Sequence, residues 1–353
     1  MPTVRSAAAT LLSLWFVANA VEAQIATLML PATDVRSVVV IGGGRAVVCS
    51  HQDGVQYHVD LTNPAAPSLL ATFNPPFGDQ WYDGEFTPDF GGRLFTGHRF
   101  GGLVMLDVGN PLTPVVAATD PSIYHYRGLR YRTFGGQSLL YYAEHNWGLA
   151  VYAVGATSLT RLWTDFHNGW NDANGMEVVG SHLYLFGSPF YLPGTRELKT
   201  YDLANPTAPA LVDTLATFAA AGPAYGHCQL RAAGLGMHLL AARQVDGLDL
   251  IDLTNPAAPL ATQIVPPISG LSVWGTFSYP NDTVSIAYGV VYGPGIRIPL
   301  WSIFHLIPGY GLLAIGGGVA PVEIRDIAFD PTNGRTLVAG IDLALGQGAL
   351  LVY

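Results

Sequence analysis

The amino-acid sequence predicts an all-β fold, a seven-bladed β-propeller with four-stranded antiparallel blades, and three observations lead to it. A proline-containing motif recurs along the chain at nearly constant spacing. Each copy has the same order of short apolar segments and glycine-rich turns around it. The last copy stops one strand short, and an apolar segment near the start of the chain can supply the missing strand.

The repeated motif is D-[LV]-x-N-P-x-x-P, which occurs at 60–67, 107–114, 202–209 and 252–259. Its asparagines stand at positions 63, 110, 205 and 255, so the intervals are 47, 95 and 50 residues. The long middle interval predicts one further repeat that lacks the motif, at 148–163. Units of this length with four strands are typical of propeller blades. The 330 residues after position 23 accommodate seven of them.

The order of elements within a unit is also constant. An apolar hairpin with a glycine-rich turn comes first, and a glycine then begins a third strand, at 54, 102, 148, 247 and 348. The motif ends that strand, because proline lacks an N–H and Asp and Asn side chains bond nearby backbone. A fourth strand follows. The glycine triplets at 42–44 and 316–318 are predicted to be hairpin turns.

Two units are degenerate, and we assign the sixth blade to 284–302 and the seventh to 324–353. The seventh unit ends at its third strand. Residues 25–30, IATLML, resemble the fourth strands of other units and precede the first hairpin. We therefore expect the N-terminal strand to pair with the C-terminal one and close the ring.

Residues 1–23 have the pattern of a signal peptide, with Arg5, an apolar stretch over 7–20 and small residues at 21 and 23. The remaining residues, 24–353, are predicted to form one propeller domain of about seven blades. The apolar stretch is too short to cross a bilayer, so we expect no membrane insertion. The predicted location is secreted, periplasmic or on the cell surface.

The charge distribution argues against nucleic acid as a partner. The net charge is −9, and the chain has one lysine, Lys199, and no basic run. Two cysteines, Cys49 and Cys228, lie in apolar segments of the first and fifth units. We predict that they are buried thiols and not bonded to each other, since buried positions are common for cysteine.

A glycine-initiated strand followed by Asp and Asn-Pro-x-x-Pro, as in GLVMLDVGNPLTP and GLDLIDLTNPAAP, resembles the LVIVD-repeat family. The resemblance extends over essentially all of 24–353, with four strong repeats and three weak ones. Members of this family are secreted or surface-attached bacterial β-propellers. The resemblance implies the propeller fold, an extracellular location and a role in interaction, and it names no reaction.

Aromatic and polar side chains concentrate in segments that we predict to be loops on one face of the propeller. These segments connect one blade to the next, and rings beside polar groups are typical of ligand pockets. We predict that the binding residues for an unknown extracellular glycan or protein are Trp81, Tyr82, Asp83, Tyr124, His125, Arg127, His167, Trp170, Asp172, His227 and Trp274. The alternative is that these rings pack on one another as loop core.

An enzyme is the second hypothesis, a hydrolase or lyase with a metal-assisted site at the mouth of the central channel. Asp83, Glu85, His125, Arg127, His227 and Asp326 would be its acids and bases. A metal could use His51, His98 and His145 only if equivalent turns approached closer than the blade width of about 10 Å allows. A mixed set, such as His125 or His227 with Asp83 or Asp172, remains open. No catalytic or cofactor motif is present in the sequence, so we favour binding and expect neither cofactor nor metal.

Overall fold

The computed structural model describes residues 24–353 with short gaps at 52, 76, 78–79, 99–100, 123–125, 145–147, 167–169, 190–194, 220–228, 234–236, 244–245, 266–270, 280–283, 294–295 and 308–310. The described residues form seven four-stranded antiparallel sheets. The sheets are arranged in a ring, so the chain is a seven-bladed β-propeller. Among the described segments, no helix is long and apolar enough to cross a membrane.

Blades 1 to 6 each consist of four consecutive strands that pair in chain order. The strands of blades 1 to 3 are β2 Val35–Val40, β3 Arg45–Ser50, β4 Gln56–Asp60, β5 Ser68–Phe73; β6 Gln80–Thr87, β7 Arg93–His98, β8 Gly102–Asp107, β9 Val115–Asp120; β10 Tyr126–Phe134, β11 Gln137–Glu144, β12 Gly148–Val154 and β13 Leu159–Phe166. A single turn of 3₁₀ helix, Asp89–Gly91, joins β6 to β7.

The strands of blades 4 to 6 are β14 Trp170–Val179, β15 His182–Pro189, β16 Thr195–Asp202, β17 Ala210–Ala219; β18 Gln229–Ala233, β19 His238–Ala242, β20 Leu248–Asp252, β21 Leu260–Val265; β22 Leu271–Ser278, β23 Val284–Gly293, β24 Ile296–Ile307 and β25 Gly311–Val319. Blade 7 combines β26 Glu323–Asp330, β27 Arg335–Asp342 and β28 Gln347–Val352 with β1 Ala26–Leu30. The blade therefore uses both ends of the described chain.

The predicted ring closure is confirmed by the pairing of β1 with β28. The register is regular over five residue pairs, from Ala26 opposite Val352 to Leu30 opposite Gly348. Ile25 adds a backbone hydrogen bond of 2.9 Å to the Val352 carbonyl. Without β1, the third strand of blade 7 would present an open edge.

The first strand of every blade is the innermost one. Each first strand contacts the first strand of both neighbouring blades, in the closed cycle β2, β6, β10, β14, β18, β22, β26 and back to β2. These seven strands surround the central axis. The fourth strands are the outer edges of their sheets.

The hydrophobic core lies between blades. Seven clusters of buried side chains are found among the described residues, and each cluster combines residues of two neighbouring blades. Tyrosine hydroxyls also connect blades: Tyr141 donates to the carbonyl of Pro206, and Tyr184 donates to that of Pro256, each at 2.9 Å. These prolines belong to the repeated motif of the next blade, so the motif also serves as an inter-blade contact.

The motif turns the chain by the predicted side-chain chemistry. In blade 1 the carboxylate of Asp60 accepts from both the backbone N–H and the hydroxyl of Thr62, at 2.8 and 2.7 Å. Asp252 and Thr254 repeat this arrangement in blade 5. The glycine that begins the third strand also has a physical role, since Gly102 has φ 63° and Gly148 has φ 97°, conformations that favour glycine.

Two predictions about the degenerate repeats were wrong. The sixth blade was assigned to 284–302, but its four strands extend from Leu271 to Val319. The triplet at 42–44 is a hairpin turn with positive φ, as predicted, whereas the triplet at 316–318 lies within β25. The strands of blade 6 are longer than those of most other blades, and the blade lacks the Asn-Pro motif that marks the end of the third strand in blades 1, 2, 4 and 5.

Candidate functional site

Six of the seven innermost strands carry a β-bulge or register irregularity in their pairing with the second strand. The affected positions are Arg36 in β2, residues 81–83 in β6, Arg127 in β10, Asn171 and Asn174 in β14, Trp274 in β22 and Arg325 in β26. In β18 the pairing is regular over its five residues. A bulge re-aims side chains and is over-represented next to functional sites.

These irregularities gather at one end of the channel. Each blade has an even number of strands, so every first strand begins at the same end of the ring. All of the affected positions lie in the first half of their strands. We call this end, defined by Arg36, 81–83, Arg127, Asn171, Asn174, Trp274 and Arg325, the bulged mouth.

The prediction that the aromatic and polar segments are loops was wrong for seven of the eleven predicted binding residues. Trp81, Tyr82 and Asp83 lie in β6, Arg127 in β10, Trp170 and Asp172 in β14, and Trp274 in β22. The extra residues of a bulge break the period-two alternation of a strand, which made these segments resemble loops. Five of the seven, Trp81, Tyr82, Asp83, Arg127 and Trp274, are nevertheless bulged positions, at the channel end where we expected a site.

The other four predicted binding residues, Tyr124, His125, His167 and His227, lie outside the described residues. The same is true of His145 and Cys228. Cys49 is buried in β3, as predicted.

Of the eleven predicted binding residues, Trp274 is the one whose side chain the structure describes. The guanidinium carbon of Arg325 stands 4.0 Å from the centre of its ring, a cation–π contact between two bulged positions of neighbouring blades. Glu323 is fully buried and pairs with both Arg325 and Arg297, the latter at 2.6 Å. Burial and the nearby charge of Arg36 lower the pKa of Arg325 to about 10. The indole is thus held against a charged group that remains protonated at neutral pH.

A second charged group stands beside the bulge of β2. Arg36 Nε and Nη2 both lie 3.0 Å from the carboxylate of Asp34. The Nδ1 atom of His51 is 3.5 Å from the same carboxylate. Burial would raise the pKa of Asp34, but the hydrogen bond from His51 and the charge of Arg36 outweigh it, so this pKa lies below its ordinary value.

Further along the first strands, blades 3 and 4 share a buried ion pair. The guanidinium of Arg130 contacts both carboxylate oxygens of Glu177, at 3.1 and 3.2 Å. Burial opposes ionisation of Glu177, but the charges of Arg130, Arg231 and Arg132 prevail and lower its pKa. This charge-assisted pair joins the inner strands of the two blades, β10 and β14.

Two of the carboxylates proposed as catalytic acids or bases bond to the backbone of adjacent strands. Glu85 accepts from the N–H of Tyr131 in the next blade at 3.1 Å. Asp326 accepts from the N–H of Val38 in blade 1 at 3.0 Å and from that of Ile327 at 2.9 Å. These bonds satisfy the free edges of inner strands and favour a structural role for both groups.

The histidines considered as metal ligands have other contacts. Nε2 of His98 is 3.0 Å from the hydroxyl of Thr96, and its ring meets Phe77 edge-on. His51 contacts Asp34, as described above. Within the described part of the chain, no three His, Cys, Asp or Glu side chains are grouped as metal ligands would be.

Sequence reasoning missed Asp34, Arg36, Glu323 and Arg325 as residues of the channel mouth. The available signal was an arginine inside the otherwise apolar first strand of a hairpin, as in VRSVVV and EIRDIAF. A charged side chain at such a position needs a partner.

A scan against models of protein families matches none, and a search of curated proteins finds no similar sequence. The fold class, a seven-bladed β-propeller, therefore rests on the strand topology alone.

Proposed function

We propose that the protein is a secreted β-propeller that binds an extracellular ligand, a glycan or a protein segment, at the bulged mouth. The observation that carries the proposal is the concentration of bulges in six inner strands at one end of the channel. A bulge interrupts the pairing of a strand, so six of them at one end need a reason. Presentation of side chains to a ligand is the reason we favour.

The residue types at these positions support binding over catalysis. They include two tryptophans, Trp81 and Trp274, and three arginines, at positions 36, 127 and 325. Large rings and arginines on rigid elements dominate many binding sites, because they lose little entropy on binding. The carboxylates Glu85 and Asp326 have backbone partners, which favours a structural use of these groups over acid–base chemistry.

Export and family membership belong to the same proposal. The signal-peptide pattern of residues 1–23 and the resemblance to LVIVD-repeat proteins both support a secreted, periplasmic or surface location. Fractionation of the producing cells, followed by N-terminal sequencing, tests this part. A mature N-terminus near Gln24 in the exported fraction is expected, and an unprocessed chain confined to the cytosol would refute it.

The binding proposal is tested by a glycan and peptide array, followed by calorimetry with the best ligand. Replacement of Trp81 or Trp170 by Ala should weaken affinity by about 1–3 kcal/mol, the range for loss of a stacked ring. The matched control is Gln137→Ala, because Gln137 is exposed at the start of β11, beside the hairpin turn at the opposite end of the channel. Equal affinity for all three variants would place the ligand elsewhere.

A further inference from the structure

The outer strands of the propeller differ from one another in one respect. In blades 1 to 6 the fourth strand has at least one extra residue that is unmatched in the third strand. The extra residues are Leu70 in β5, Ala117 in β9, Leu162 in β13, Val212 in β17, Ile264 in β21 and Ile315 in β25. Such bulges twist an edge strand and prevent it from pairing with another chain.

The outer strand of blade 7 lacks this protection. Strand β1 pairs with β28 without a shift over all five residues, so among the outer strands that the structure describes it alone has a regular edge. It also lacks charge, since no Asp, Glu, Lys or Arg occurs between Gln24 and Thr33. Both common means of blocking an edge, bulges and charges, are therefore missing at β1.

The surface around this edge is apolar. Met29 on β1 and Ile25 immediately before it are exposed, at 36% and 38%. Leu343 and Leu345 are exposed in the turn before β28, which adjoins the end of β1 where Leu30 pairs with Gly348. Blade 7 thus combines a regular edge, which pairs with no further strand among the described residues, with exposed apolar side chains in two adjacent segments.

The occupant that this edge fits is a second copy of the chain, because two-fold pairing sets one uncharged strand against another and brings no carboxylates together. The protein has a net charge of −9, so two copies repel each other over most of their surfaces. Other outer strands that lack charge, β5, β21 and β25, are bulged. The β1 edge is the one described edge that is both uncharged and regular.

We propose that two copies associate through antiparallel pairing of their β1 strands about a two-fold axis. The free N–H and C=O groups of each β1 would bond to those of the other, and the two blades 7 would become one eight-stranded sheet. A pairing centred on Leu28 places Thr27 of one copy opposite Met29 of the other. This is a self-complementary contact of the kind that two-fold dimers use. It leaves the bulged mouth of each copy open, so the proposal does not depend on the proposed function.

The experiment measures molar mass by light scattering and sedimentation from about 1 to 100 µM. The mass is expected to approach that of a dimer as concentration rises. Thr27→Lys adds a charge at an exposed position of the edge, and it should raise the dissociation constant at least tenfold. Because Thr27 is exposed, thermal unfolding measured at about 1 µM or below, where parent and variant are both monomers, should stay within about 1 °C of the parent.

The matched control is Thr72→Lys, which places the same charge on the exposed face of the bulged strand β5. This variant should dimerise like the parent. Met29→Lys is a second variant on the β1 edge, and it should behave like Thr27→Lys. A monomer at all concentrations, a dimer insensitive to both β1 changes, or equal loss with Thr72→Lys would each overturn the proposal.

Discussion

Replacement of Leu30 by Ala tests how far the N-terminal strand stabilises the ring. Leu30 is 1% exposed and belongs to the core cluster between blades 7 and 1, with Val35, Tyr57 and Leu350. Its side chain comes from one end of the described chain and packs on residues from the other. The substitution removes most of the side chain that makes this contact and leaves the backbone pairing of β1 unchanged.

The expected cost follows from the burial. Leu→Ala changes at fully buried sites cost about 2–5 kcal/mol, and we take about 3 kcal/mol. An unfolding entropy of about 2.1 cal/mol/K per residue gives roughly 0.7 kcal/mol/K for a domain of this length. The melting temperature should therefore fall by about 4 °C.

Differential scanning calorimetry of the parent, Leu30→Ala and Met29→Ala measures the effect. Met29 is the adjacent residue on the same strand and is 36% exposed, so its loss should lower the melting temperature by about 1 °C or less. A chain that begins at Pro31 should melt several degrees below the parent or aggregate. Equal shifts for Leu30→Ala and Met29→Ala would refute the burial of β1, and so would unchanged melting of the shortened chain.

Three other predictions concern buried polar groups. Burial lowers the pKa of His58 to about 4, so the free energy of unfolding should fall by about 3 kcal/mol between pH 6.5 and pH 4, where only the unfolded chain takes up the proton. Denaturant titrations at several pH values should show a steeper fall of this free energy with decreasing pH for the parent than for His58→Gln. Parallel pH dependences would contradict the prediction. Glu177→Gln leaves the buried Arg130 without its carboxylate and should cost about 3 kcal/mol, whereas the double change of both residues to Met should cost less. Thiol titration in denaturant without reductant should find two groups, Cys49 and Cys228; if it finds none, the two form a disulfide and the separation of blades 1 and 5 is wrong.

Sequence reasoning placed three of the predicted binding residues at the right end of the channel but in the wrong local structure. Trp81, Arg127 and Trp274 were assigned to loops at one end of the channel, and they lie at bulges of inner strands at that end. A bulge is set by the pairing partner, which the order of residues in one strand does not contain. The aromatic and polar composition of these segments could be read from the sequence, but their place within inner strands could not.

The sequence by itself determined the number of blades, the strand order and the closure of the ring by the N-terminal strand. These features depend on local signals: a motif that ends strands, glycines that permit positive φ, and apolar segments at a constant interval. Repetition makes such signals easy to recognise, because each unit can be compared with the others in the same chain. Blade 6 shows the limit, since the absence of the motif there led to wrong strand boundaries.

Only the tertiary structure decided which side chains meet. Arg325 stacks on Trp274 from the neighbouring blade, and Asp326 bonds to the backbone of Val38 across the closure of the ring. Such contacts depend on the rotation between blades and on where the innermost strands bulge, and neither property is encoded in one repeat. The smooth edge of β1 is likewise a property of its register with β28, which exists only once both ends of the described chain have come together.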